Sequence, residues 1–81
     1  MATAPDNETT VNAIFHGIAA YNVRGGETFP LQGVATKLLN KGFKAEEINN
    51  ALSSMVERGW LEVSGSPLAR LTKLGYEAMP D

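Results

Sequence analysis

The apolar residues of this chain recur at helical spacing in three separate blocks. Between residues 45 and 58, Ile48, Ala51, Leu52, Met55 and Val56 fall at i, i+3, i+4, i+7 and i+8, which is one face of an α-helix. Leu31, Val34, Ala35, Leu38 and Leu39 repeat that template and predict a helix over about 31–40. Nearer the N-terminus, Val11, Ile14, Phe15 and Ile18 mark a stripe that Gly25 and Gly26 interrupt, predicting a first helix over about 10–23 with the hydroxyl of Thr9 or Thr10 as its cap. A different pattern follows the third block. Gly59 ends the helix, and Trp60, Leu61 and Val63 suit a pleated surface. The turn residues Ser64-Gly65-Ser66-Pro67 and a second short run, Leu68 to Thr72, complete a hairpin.

The connections carry their own signals. Glu27-Thr28-Phe29 precedes Pro30 and is expected as a brief extended segment, because the residue before a proline is pushed out of the helical region. Pro30 itself suits the first turn of the second helix. At the far end of that helix Lys41 places a cation near the dipole, Gly42 supplies a left-handed cap, and Phe43 can fold back as the apolar contact of such a cap. So few residues then precede the third helix that the two must touch, and a glycine inside so short a connection is typical of a helix-turn-helix. Thr72 is expected to cap a last short helix, Lys73 to Met79, stopped by Pro80 and turning Leu74 and Ala78 inward. Residues 1–8 are small and polar with no periodicity, and are expected as a flexible tail ahead of a single domain over 9–81.

Composition narrows the chemistry. There is no cysteine, which removes disulfides, a thiolate nucleophile and cysteine-based zinc sites. No apolar run approaches the roughly 18 residues of a membrane span, and the first ten residues lack the basic and apolar regions of a signal peptide, so a soluble, cytoplasmic protein with no membrane partner is expected. The single histidine, His16, lies opposite the apolar stripe of its helix and is expected in solvent. No glycine-rich phosphate loop is present, and Glu46 and Glu47 diverge as neighbours on a helix. Neither an enzyme nor a metal or cofactor site is therefore expected. The net charge of −2 and pI of about 5.3 withhold the basic surplus from which duplex binding usually gains its affinity.

Two stretches resemble a known family. Leu52, Met55, Val56, Glu57, Arg58, Gly59, Trp60, Leu61 and Glu62 resemble the end of the third helix and the first wing strand of the winged helix-turn-helix superfamily. Leu71-Thr72-Lys73-Leu74-Gly75-Tyr76-Glu77-Ala78 is similar to that family's Leu-Thr-x-x-Gly opening of a C-terminal helix, and the likeness covers roughly residues 10 to 79. The resemblance implies a mainly α fold with a small β-hairpin: a three-helix core, a short wing and a short C-terminal helix. It also implies a transcriptional regulator that places its third helix in the major groove of double-stranded DNA.

Carried onto this sequence, the base-contacting residues would be Asn49, Asn50, Ser53 and Glu46, asparagine being suited to adenine and serine a tolerant donor and acceptor. Phosphate contacts would fall to Lys37, Lys41, Lys44, Arg70 and Lys73, joined by Arg58. Glu46 and Glu47 also favour the dipole at a helix start, and Trp60 is expected at the core or wing root rather than as a stacking platform. The hairpin tip carries no lysine or arginine, which argues against minor-groove reading by the wing. Winged helices also serve as protein-interaction modules. That alternative would use an apolar patch of Ile18, Tyr21, Tyr76 and Met79 on helices 1 and 4, a patch equally able to join two copies as a homodimer.

Overall fold

A computed structural model describes residues 7–63 and 68–79 and orders the chain as α1 (Asn7–Ala19), β1 (Thr28–Pro30), α2 (Leu31–Asn40), α3 (Ala45–Glu57), β2 (Leu61–Val63), β3 (Leu68–Leu71) and α4 (Lys73–Ala78). Four helices thus accompany a small three-stranded antiparallel sheet of order β1-β3-β2. The hairpin tip expected at 64–67, residues 1–6 of the expected tail and the Pro80 stop lie outside the described residues. The expected extended segment before Pro30 is β1, which pairs Phe29 with Ala69 of β3, and β2 pairs Leu61 with Leu71 on the other side.

The first helix departs from expectation at both ends. It begins at Asn7, so Asn7 and Glu8 belong to it and neither Thr9 nor Thr10 caps it; Thr10 is buried inside the helix. It ends at Ala19, because Asn22 takes a left-handed conformation (φ 56°) and the Tyr21 and Asn22 amides turn back to the Ile18 and Ala19 carbonyls. The apolar stripe extended past the point where the backbone could remain helical.

The core collects Val11, Ile14, Phe15 and Ile18 from α1, Val34 and Leu38 from α2, and Ile48, Ala51 and Met55 from α3. Phe29, Leu61, Ala69 and Leu71 close it from the sheet, so helices and sheet share one apolar interior. Three members of the helical stripes escape it. Leu39, Val56 and Leu74 were expected inside but are 47%, 42% and 59% exposed, because a stripe wider than the neighbouring element leaves its margin in water. Val63 shares the inward side of β2 with buried Leu61 yet is 45% exposed.

Helices α2 and α3 end alike. After Lys41, Gly42 sits at φ 101°, its N–H donates to Leu39 O, and the Phe43 N–H reaches back to Leu38 O at 3.1 Å. After Arg58, Gly59 sits at φ 78°, its N–H donates to Val56 O, and the Trp60 N–H reaches Met55 O at 2.9 Å. Both are paired reversed hydrogen bonds around a left-handed glycine, and in both the following aromatic residue packs against the core.

Helix α4 is held against the second of these ends. The Thr72 hydroxyl donates to Gly59 O (2.6 Å) and accepts from the Gly75 N–H (3.0 Å), while the Thr72 N–H donates to Trp60 O (3.0 Å). Gly75 is buried with its Cα against the Trp60 carbonyl, where an added Cβ would overlap the oxygen. Thr72 therefore caps α4 as expected, and the Leu-Thr-x-x-Gly spacing has a physical reason.

Gly75→Ala is expected to lower stability by about 1–3 kcal/mol through overpacking, and Thr72→Ala by about 1 kcal/mol through loss of the cap. Both should appear as lower urea midpoints at an unchanged slope. A Gly75→Ala midpoint equal to the parent's would mean that α4 does not rest on the Trp60 carbonyl.

Candidate functional site

Helix α3 is pinned by its inner face and open on its outer one. Ile48, Ala51 and Met55 are buried, whereas Glu46, Asn49, Asn50 and Ser53 are all exposed. Neither asparagine amide makes a hydrogen bond among the described residues, so both are available to a ligand. Glu47 is not available in that way: its half-buried carboxylate accepts the Lys44 N–H at 2.8 Å and closes the first turn of the helix. The two adjacent acids therefore do different things, one serving the helix start and the other facing solvent.

Beside this polar stripe lies an open cleft of ≈ 490 Å³ between α3, β2 and the start of α2. Leu31, Leu52, Val56 and Val63 make its apolar lining, and Asn49, Ser53 and Glu57 its polar one. The apolar members escaped the sequence reading. Leu52 and Val56 belong to the stripe that predicts burial, and only the position of the hairpin shows that the stripe's edge is left uncovered.

The cations proposed for phosphate contacts divide into engaged and free. Arg70 lies across the outer face of the sheet, where its guanidinium donates to Gly26 O at 2.8 Å and its Nε is 3.5 Å from the Glu62 carboxylate, its partner in register. Lys37 sits over the Tyr21 ring at 4.8 Å. Arg58 donates to the Glu8 carboxylate at 2.7 Å, a hydrogen bond that raises its pKa above the ordinary guanidinium value, and its guanidinium lies 4.8 Å from the Trp60 ring centre. Lys73 is exposed on α4, where its backbone packs by Gly25. Lys41 and Lys44 are exposed in that turn, immediately ahead of α3, and make no ion pair among the described residues.

Trp60 is half-buried, with its ring 5.4 Å from that of Phe15, which is a root position between α1, α3 and the hairpin. His16 is exposed, as its place on the helix required. Of the apolar patch expected on helices 1 and 4, Ile18 is instead fully buried in the core, while Tyr21 and Tyr76 are exposed. Tyr76 and Met79 instead line a second cleft of ≈ 400 Å³ with Ala19, Asn22, Val23 and Arg24, and Tyr21 lies apart beside Lys37.

Among the described residues no helix is long and apolar enough to cross a membrane, and no three acidic, histidine or cysteine side chains gather as a metal site. No protein-family model, curated protein or solved structure matches this chain, so the functional reading rests on its own residues.

The division of labour between the two acids is measurable. Glu47→Ala is expected to destabilise the fold by about 1 kcal/mol through loss of its hydrogen bond at the helix start, and Glu46→Ala to stay within about 0.5 kcal/mol of the parent. Equal effects of the two in chemical denaturation would remove the assignment of Glu47 as the capping acid.

Proposed function

We propose that this chain is a winged helix-turn-helix protein that binds double-stranded DNA through α3 and acts as a transcriptional regulator in the cytoplasm. The observation that carries the reading is the outer face of α3. Glu46, Asn49, Asn50 and Ser53 stand exposed together on a helix whose opposite face is locked into the core. A helix held in that way meets the need of major-groove readout, which requires side chains with hydrogen-bonding capacity on a rigid rod. The turn of residues 41–44 joins α2 to α3 and carries Lys41 and Lys44, the two free cations nearest the helix start, where phosphates would lie.

Charge sets the strength of such binding. With Arg70, Lys37 and Arg58 already engaged by partners on the surface of the same chain, about two phosphates are neutralised per chain, and log affinity should fall with log salt with a slope of about −2. Binding is thus modest for a single chain, and two chains presenting two copies of α3 to a two-fold site would be needed for high affinity.

A second reading is favoured by one specific feature, the apolar cleft beside α3. Half-exposed valines in a concave surface suit a protein partner as well as a base edge, and a module of that kind would not need DNA.

Titration of a labelled mixed-sequence duplex at low salt separates the two readings. The intact protein is expected to bind, Lys44→Glu to weaken binding and flatten the salt slope by about 1, and Asn50→Ala to weaken it further on preferred sequences. Absence of binding at protein concentrations on the order of tens of micromolar would transfer the proposal to the protein-interaction reading.

A further inference from the structure

Between Ala45 and Glu57 the sequence AEEINNALSSMVE contains no lysine and no arginine. The side chains that this helix turns outward beside the cleft are two amides, a hydroxyl, two carboxylates and one valine: Asn49, Asn50, Ser53, Glu46, Glu57 and Val56. The nearest arginine, Arg58, is taken by Glu8 and the Trp60 ring. This set of groups has a definite preference among base pairs.

Guanine presents two acceptors, N7 and O6, in the major groove, and the group that reads them best is a cationic bidentate donor. The outer face of α3 has none. Adenine presents one acceptor and one donor, which match the amide of a single asparagine; a carboxylate accepts from adenine N6 and cytosine N4 alike, so the choice between the pairs falls to the amides and the apolar groups. Its partner thymine adds a C5 methyl, the one apolar group in that groove. Val56 and Val63 are each nearly half exposed and line the same cleft as Asn49 and Ser53, so amide and apolar surface stand side by side.

We propose that α3 selects A·T pairs in the major groove, Asn49 and Asn50 reading adenine while Val56 and Val63 receive the thymine methyl. This inference rests on duplex binding through α3 and adds its base preference. It does not depend on the hairpin tip, because every group involved lies on α3 or β2.

Fluorescence anisotropy of the full chain at low salt decides it, with four labelled duplexes of equal length. One is all A·T and one all G·C; the third replaces thymidine by deoxyuridine, which removes only the methyl; the fourth replaces adenine by 7-deazaadenine, which removes only the N7 acceptor. The A·T duplex is expected to bind about tenfold tighter than the G·C duplex, with each modified duplex losing several-fold. The double variant Val56→Ser/Val63→Ser should bind the thymidine and deoxyuridine duplexes equally, and Asn49→Ala/Asn50→Ala should lose sensitivity to the missing N7. Equal binding of A·T and G·C overturns the base preference while leaving duplex binding intact. A preference that survives both base modifications also overturns it, since it would then arise from groove shape or from the minor groove. No binding to any of the four overturns the duplex-binding reading and the inference together.

Discussion

At Gly59 the chain reverses out of α3, and the two carbonyls exposed by that reversal are taken up by Thr72: the hydroxyl donates to Gly59 O and the amide to Trp60 O. The same hydroxyl then accepts from Gly75 and starts α4. Gly75 has no side chain, so α4 can lie directly on the Trp60 carbonyl, while the Trp60 ring packs on Phe15 of α1. One reversal therefore ties α1, α3, the hairpin and α4 together. The end carbonyls of α3 are met by the Arg58, Gly59 and Trp60 amides, and the carbonyls of the reversal itself by Thr72, the residue that opens the next helix.

The position of α3 follows from that junction. Its inner residues Ile48, Ala51 and Met55 are closed off by α1 and the sheet, and its end is fixed by Gly59 and Trp60, so its outer face is presented without freedom to turn. A fixed helix whose outer groups have no internal partners is suited to recognition, since little order has to be gained on binding. In the proposed role the cleft between α3 and β2 belongs to that recognition surface. It places apolar side chains beside polar ones at the point where the third helix and the hairpin diverge.

In the proposed role, intramolecular contacts compete with phosphates for the same cations. Of the six cations that sequence assigns to a phosphate-facing role, Arg58, Arg70 and Lys37 have found partners inside the molecule, in Glu8 and Trp60, in Glu62 and Gly26, and in Tyr21. A guanidinium committed to a carboxylate neutralises less of an approaching phosphate, and the net charge of −2 offers no compensating reserve. What remains next to α3 is the lysine pair of the α2–α3 turn.

Local chemistry alone determined much of this protein: the spans of α2 and α3, the left-handed glycines that end them, the extended segment before Pro30 and the capping of α4 by Thr72. Each depends on residues within a few positions of one another, so spacing and side-chain type suffice to read them. Outward placement of Asn49, Asn50 and Ser53 followed from the same periodicity. Tertiary structure alone decided the exposure of Leu39, Val56, Val63 and Leu74. It also decided which cations are spent, because Arg58 meets Glu8 and Arg70 meets Gly26 across long separations in the chain. A periodic stripe states which side of a helix is apolar but not how much of that side a neighbour covers, and among the described residues Leu52 and Val56 line an open cleft with Val63 of β2.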